Sequence, residues 1–404
     1  RLEGGRVRLR QARYADADGS GVVPESDRLW QIPVALRYPV GGGETAVERL
    51  VLGEREQVVQ LPVDAPPDWV HPNADETGYY LWDVEAPVLE HLVTESDAIL
   101  TPVERVGLIH DLTALLRNGA LSADRFLDLT ARCAGDPQSE VVEAVLDSWQ
   151  SIRLPLVGSD QKDAFAVYVR AGLATAVDRW GLLPRPGEEA AVSLLRPKLL
   201  LWLARDGEDA RARDIADSLT AAYLEDATAC PPSLVQAVLG ITARRADLAL
   251  LHRFQDRFET AGPRERQIFL AAIGDVAEPE VLEDALRWSM EGELRPTERT
   301  RIAESMREEP ALQARAYRWM KENYGALSQK IPGDHMANLP TFANGCSQER
   351  LDDARAFFAD PSRQPAGTDV QLRKVADDVS SCIALHDREA RVAADYLSRF
   401  AQSQ

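Results

Sequence analysis

Apolar residues change their spacing once along this chain, near position 86, and that change limits the folds open to it. Before it the period is two. Trp30, Ile32, Val34, Leu36 and Tyr38 alternate with Gln31, Pro33, Ala35 and Arg37, the pattern of a strand with one buried face. Further short runs at Val7–Tyr14, Val47–Leu52, Gln57–Leu61 and Gly78–Val84 are separated by Gly41-Gly42-Gly43, Gly53 and Pro66-Pro67, which are turn signals. About six strands in some 85 residues predict a small antiparallel β-sandwich over residues 1–86. Pro33 predicts that the strongest strand is an edge or carries a bulge, because proline cannot donate to a ladder.

After Pro87 the period becomes helical. Thr101-Pro102-Val103-Glu104 supplies a capping Thr, a Pro at the first helical position and a Glu three residues after the cap, and Gly119 lies beyond the expected end. Ser122 opens a short partner helix. Val141, Val142, Val145, Leu146, Trp149 and Ile152 form an apolar stripe on the next. Similar segments recur near 163–180, 188–205, 210–225, 233–244, 246–260, 263–274, 278–290, 296–307, 310–324 and 348–358, ending in a long one over 369–400. Short turns between them require antiparallel neighbours. Residues 87–404 therefore read as an all-α HEAT/armadillo-like superhelical solenoid of irregular repeat, whose concave face is the expected binding surface. At 404 residues the chain exceeds the roughly 250 to 300 residues that one core sustains, which also predicts two domains.

Composition removes several functions. With 46 basic and 65 acidic residues the net charge is -19, which repels nucleic-acid phosphates and anionic membrane surfaces. Cys133, Cys230, Cys346 and Cys382 lie far apart without Cys-x-x-Cys spacing, so reduced, mostly buried thiols are expected. No run approaches the length of a membrane span, and Arg1-Leu2-Glu3-Gly4-Gly5 carries no signal-peptide core. These features predict a cytoplasmic protein. The immediate entry into strand-like sequence without an initiator Met suggests that the chain begins partway through a longer polypeptide.

No motif carries hydrolytic or phosphate chemistry. The six histidines, His71, His91, His110, His252, His335 and His386, never stand three or four residues apart, as a helical zinc pair requires. Each is expected to be a surface or locally satisfied residue. Gly41-Gly42-Gly43 is a turn and not a phosphate loop, since no helix with Lys-Ser or Lys-Thr follows. Asp352-Asp353 and Asp377-Asp378 are neighbours that point apart on a helix and read as solvated faces. Trp30, Trp149 and Trp319 sit on apolar stripes and are expected in the core. No catalytic, cofactor-binding or metal-ligating residue is assigned, and the substrate-facing residues are unknown.

An ordered set of segments resembles the C-terminal half of aminopeptidase N-type zinc peptidases. In the strand region these are Gln11-Ala12-Arg13-Tyr14, Trp30-Gln31-Ile32-Pro33-Val34, Val70-His71-Pro72-Asn73 and Gly78-Tyr79-Tyr80. They are similar to that family's Gln-x-Arg-Phe, Trp-x-Ile-Pro and Asn-x-x-Gly-Tyr-Tyr. In the helical region Arg105 to Asp111 with Gly119-Ala120-Leu121, then Ala316 to Tyr324 and Phe357-Phe358, continue the resemblance. The chain departs at Leu81, where many members have Arg. It also lacks an Arg around Ile273-Gly274 of the kind antigen-trimming relatives use near a peptide C-terminus.

The resemblance implies a parent in which a zinc-bound water attacks the N-terminal peptide bond while a Glu acts as base, with zinc and these residues on an upstream catalytic domain of the same polypeptide. It implies peptide substrates for that parent, with this half supplying a lid and a peptide-enclosing chamber. By the same reasoning this chain needs no cofactor of its own. A free-standing solenoid scaffold that binds a partner without chemistry is the alternative. A hydrolase with a cryptic site is a third reading, and no nucleophile-base or metal-ligand set supports it.

Overall fold

The computed structural model describes residues 1–17, 27–307 and 309–404. Among these the chain is mostly helical, with a small antiparallel β module at its N-terminus. Five strands form it: β1 (Leu2–Glu3), β2 (Arg6–Arg10), β3 (Ile32–Gly41), β4 (Glu44–Leu52) and β5 (Glu56–Gln60). β1, β2 and β5 make one sheet, and β3 and β4 make the other. Val7, Leu36, Tyr38 and Leu52, drawn from both sheets, share one hydrophobic cluster with Leu61 and Val70. The β3–β4 hairpin closes through Gly42 and Gly43 at φ +64° and +82°, the left-handed pair that matches the twist of the flanking strands. Pro33 pairs with Val51 of β4, the other edge of β3 carries only isolated bridges at Ala35–Asn73 and Arg37–His71, and the register shifts between Pro39 and Gly41. The expected edge occurs, while the irregularity lies at Pro39 beside the turn and not at Pro33.

Two expectations for the β module are corrected. The run from Gly78 to Val84 is not a strand. Its polar groups bond locally: Asn73 Oδ1 accepts from the Gly78 amide at 2.8 Å, its Nδ2 donates to the Gly78 carbonyl at 3.1 Å, and the Tyr80 hydroxyl donates to the Pro72 carbonyl at 2.8 Å. Trp30 lies ahead of β3 and is only half-buried. Its backbone is bracketed by Gln11, whose Oε1 accepts from the Trp30 amide at 2.8 Å and whose Nε2 donates to its carbonyl at 3.0 Å.

The helices of the first part are α1 (Ala86–Thr94), α2 (Ser96–Ile99), α3 (Pro102–Arg117), α4 (Ala123–Cys133), α5 (Ser139–Leu156) and α6 (Lys162–Trp180). Then come α7 (Ala190–Arg205), α8 (Ala210–Glu225), α9 (Val235–Ala243), α10 (Leu248–Thr260), α11 (Pro263–Gly274) and α12 (Pro279–Glu291). The last are α13 (Arg301–Met306), α14 (Gln313–Lys330), α15 (Gly333–Met336), α16 (Gln348–Phe357) and α17 (Thr368–Ser403). The helix expected over 296–307 is split into a 3-10 turn at Pro296–Glu298 and α13. The buried Glu298 carboxylate anchors that turn by accepting from the Arg295 amide at 2.8 Å and from Arg266 at 3.0 and 2.6 Å.

The chain divides into two compact units. One comprises Arg1–Val157, Ala171–Arg179 and Asp387–Gln404, the other Gly158–Arg170 and Trp180–His386. Within the second, α7, α9, α11 and α13 contact one another in succession, with α8, α10 and α12 as their partners.

The cysteines require a further correction. Cys133 and Cys230 are free and buried, and burial pushes their thiols up to about 12 and about 11. Cys346 and Cys382, however, form a disulfide with Cα atoms 5.1 Å apart. The turn before α16 and the middle of α17 are brought together only by tertiary packing, which sequence spacing does not reveal. Opening this 36-residue loop by Cys346→Ser/Cys382→Ser is expected to destabilise the chain by about 2 to 4 kcal/mol in denaturant unfolding. A loss under about 0.5 kcal/mol would mean that the crosslink constrains nothing.

Candidate functional site

Helix α3 begins where its sequence signals place it. Thr101 caps it: its hydroxyl accepts from the Glu104 amide at 3.4 Å, while Glu104 Oε2 accepts from the Thr101 amide at 2.8 Å. This capping box holds the Glu104 carboxylate in the interior of the first unit, fully buried. There it meets Arg37, which β3 projects from the face opposite Leu36 and Tyr38. Arg37 binds it with two guanidinium nitrogens, Nε at 3.1 Å from Oε1 and Nη2 on Oε2. Glu104 Oε1 also accepts from the Asp75 amide at 3.0 Å.

The alternation in β3 predicts one buried face, yet Ala35 is buried too and Arg37 is half-buried. The cause is the 71–76 segment. His71 exchanges two backbone hydrogen bonds with Arg37, at 2.9 and 2.8 Å, and a 3-10 turn at Ala74–Glu76 packs between β3 and α3. Asp75 and Glu76 in that turn adopt positive φ of 56° and 51°. Such left-handed non-glycine backbone costs on the order of 1 to 3 kcal/mol per residue and persists where surrounding contacts impose it. Gly107 of α3 permits the approach, since a Cβ there would stand 2.3 Å from the Glu76 carboxyl carbon.

The imidazole of His71 is enclosed among these groups. Its Nδ1 lies 3.5 Å from Glu104 Oε1 and its Nε2 3.6 Å from Glu76 Oε1, and neither nitrogen nor Glu76 Oε1 is hydrogen-bonded to protein. Its ring meets Trp82 edge-on, with centroids 5.4 Å apart. Glu76 Oε2 accepts from Asn73 Nδ2 at 2.9 Å. Asp111, two turns beyond Glu104 on the same face of α3, accepts from the Trp82 amide at 3.3 Å.

Burial and like charge set the protonation of the cluster. Burial lowers His71 from 6.5 to about 4, so the ring is neutral, and Arg37 acts in the same direction. Burial, with the nearby Glu104 charge, raises Glu76 to about 7. Burial, with Glu76, raises Asp111 to about 8. Burial opposes ionisation of Glu104 as well, but the Asp75 and Thr101 amides and Arg37 outweigh it and hold this carboxyl below its ordinary value. One compensated ion pair therefore sits beside carboxyls that remain neutral at low and near-neutral pH. With His71 and Glu104 sealed from solvent, the arrangement can exchange protons but admits no substrate.

The other histidines behave differently. His252 is exposed and 3.7 Å from Asp284, His110 and His386 are exposed, and His91 and His335 are half-buried. His71 alone departs from the surface or locally satisfied role expected of each. Asp353 accepts from the Tyr317 hydroxyl and from Lys321, both at 2.6 Å. Its neighbour Asp352 accepts from Gln348 and Arg355, and Asp378 accepts from Asn344 at 3.5 Å. Among the described residues, no three His, Cys, Asp or Glu side chains stand where they could hold a metal ion. The zinc implied by the family resemblance has no donor set among them.

The ERAP1-like C-terminal domain family matches residues 69–381, a span that includes His71, Glu76, Glu104 and Asp111. This chain belongs to that family. Its resemblance to the C-terminal half of aminopeptidase N-type peptidases is thereby established. Similar proteins include the puromycin-sensitive aminopeptidase of Caenorhabditis elegans, 28% identical over 58% of this chain and 25% of its own length. Aminopeptidase 2, mitochondrial, of Saccharomyces cerevisiae is 22% identical over 97% of this chain and 41% of its own. Human endoplasmic reticulum aminopeptidase 2 is 24% identical over 91% and 39%. The chain thus spans well under half the length of these relatives. No helix among the described residues is long and apolar enough to cross a membrane.

Proposed function

We propose that this ERAP1-like C-terminal domain is the non-catalytic portion of a zinc aminopeptidase that removes N-terminal residues from peptides. In this reading residues 1–86 are a β-sandwich domain and residues 87–404 a HEAT-like solenoid that forms the lid and peptide chamber over an upstream catalytic domain. The observation that carries it is the alignment of 97% of this chain with only 41% of an aminopeptidase, which leaves the rest of such an enzyme to hold the chemistry. The succession α7–α9–α11–α13, with α8, α10 and α12 as partners, supports a two-row helical array, in which one row lines a concave surface.

The test is turnover. This chain alone is expected to be inactive on a chromogenic aminoacyl substrate, and joined to a catalytic segment from its own reading frame it is expected to cleave both that substrate and long peptides. Charge reversals on the inner helix row are then expected to change long-peptide turnover at least several-fold more than single-residue turnover, since only long peptides reach the chamber. Equal effects on both substrates would reduce the helices to a support, and activity of the chain alone would overturn the reading. Two features bear on location: the missing membrane span and signal-peptide core gave the cytoplasmic expectation, while the Cys346–Cys382 disulfide favours an oxidising compartment.

A further inference from the structure

The buried cluster of the first unit contains more ionisable groups than its one ion pair requires. Five titratable or charged groups face the imidazole and its neighbours: Arg37 from β3, Glu76 from the 3-10 turn, Tyr80 from the segment after it, and Glu104 and Asp111 from α3. Arg37 is committed to Glu104. Among the described residues no second cation faces Glu76 or Asp111, and burial holds Tyr80 protonated, its hydroxyl raised to about 12. Ionising either carboxyl places an uncompensated negative charge beside Glu104 in a water-poor space, which is costly. The segment that would have to yield is the one already strained, through the left-handed Asp75 and Glu76. We propose that Glu76 and Asp111 form a proton-operated latch, which holds the 71–82 segment against α3 while both carboxyls are neutral and releases it as they ionise.

The direction follows from linkage. Each carboxyl binds its proton more tightly when closed than when released, Glu76 at about 7 against an ordinary 4.5 and Asp111 at about 8 against 3.8. Closure is therefore strongest at low pH and weakens as pH rises through those values. His71 acts in the opposite sense, because its closed-state value of about 4 lies below its ordinary 6.5, so it opposes closure below pH 6.5. Above that pH the imidazole is neutral in both states and the carboxyls alone titrate. The latch is a property of this chain and is independent of the peptidase reading.

Hydrogen-deuterium exchange of the 404-residue chain tests it, with amide rates divided by their intrinsic pH dependence. Opening of amides in 73–82 is expected to rise roughly tenfold or more between pH 6.5 and 8.5, the linkage limit being tenfold per proton per pH unit. Amides of α8 to α12 should not follow. The neutral double variant Glu76→Gln/Asp111→Asn is expected to flatten the profile. A change under twofold in the unaltered chain, or a step that persists in the double variant, overturns the proposal. If that variant does not fold, carboxyl 13C titration of the unaltered chain decides: midpoints above about 6 for Glu76 and Asp111 uphold the latch, and midpoints near 4 overturn it.

Discussion

Truncating Trp149 to Ala is expected to remove about 3 to 5 kcal/mol from the stability of the chain, read as a lower denaturant midpoint at unchanged m-value. The side chain has no exposed surface. Its indole rests against Gly172, where an added Cβ would stand 2.8 Å from the ring, so α5 and α6 are in direct contact there. The indole Nε1 donates to Thr130 Oγ1 on α4 at 3.0 Å. Removing the ring thus opens a cavity bounded by three helices and leaves a buried hydroxyl short of a donor. Trp149→Phe separates the two contributions. It keeps much of the volume and is expected to lose about 1 to 3 kcal/mol, with the lost Nε1 donor to Thr130 Oγ1 as a major part. A loss below about 1 kcal/mol for Trp149→Ala would mean that the stripe on α5 does not form core in solution.

Trp149 and Trp319 were readable as core because helical spacing puts a residue on a face, and a long apolar stripe leaves that face only one place to go. Trp30 followed the same logic at period two and is half-buried. It precedes β3, where Gln11 and not a ladder partner takes its backbone groups. The start of α3 was legible for a local reason, since Thr101, Pro102 and Glu104 lie within one turn and act through hydrogen bonds of that turn. Gly78 to Val84 failed for the converse reason. Tyr79 and Tyr80 favour strands, but Asn73 and Pro72 capture the polar groups around them. The Cys346–Cys382 bond was not legible, and the buried cluster was not legible as a cluster. Arg37, His71, Glu76, Glu104 and Asp111 come from a strand, a bridge, a 3-10 turn and a helix, with no spacing that a one-dimensional pattern could register. A partial signal existed in the β3 alternation, where Arg37 alone could have been asked what neutralises it if its face were covered.

That question sets the second large effect. Glu104→Ala is expected to destabilise the chain by about 3 to 5 kcal/mol, because it strands the Arg37 guanidinium in a buried site. It also removes the acceptor of the Asp75 and Thr101 amides. Arg37→Ala is expected to lose a similar amount, since it leaves the Glu104 carboxylate buried beside Glu76 and without its cation. If the two form one unit, the double variant loses less than the sum of the singles, with a coupling of about 1 to 3 kcal/mol. Glu104→Gln distinguishes charge from geometry. The amide retains an oxygen for the cap yet cannot neutralise Arg37, so most of the loss is expected to remain. If Glu104→Gln restores stability to within about 0.5 kcal/mol, hydrogen bonding to the α3 cap, and not the ion pair, holds strand and helix together. Additive single losses would lead to the same conclusion. Coupled losses with an unrescued Gln variant would instead mean that the Arg37–Glu104 charge pair ties the β module to its first capped helix.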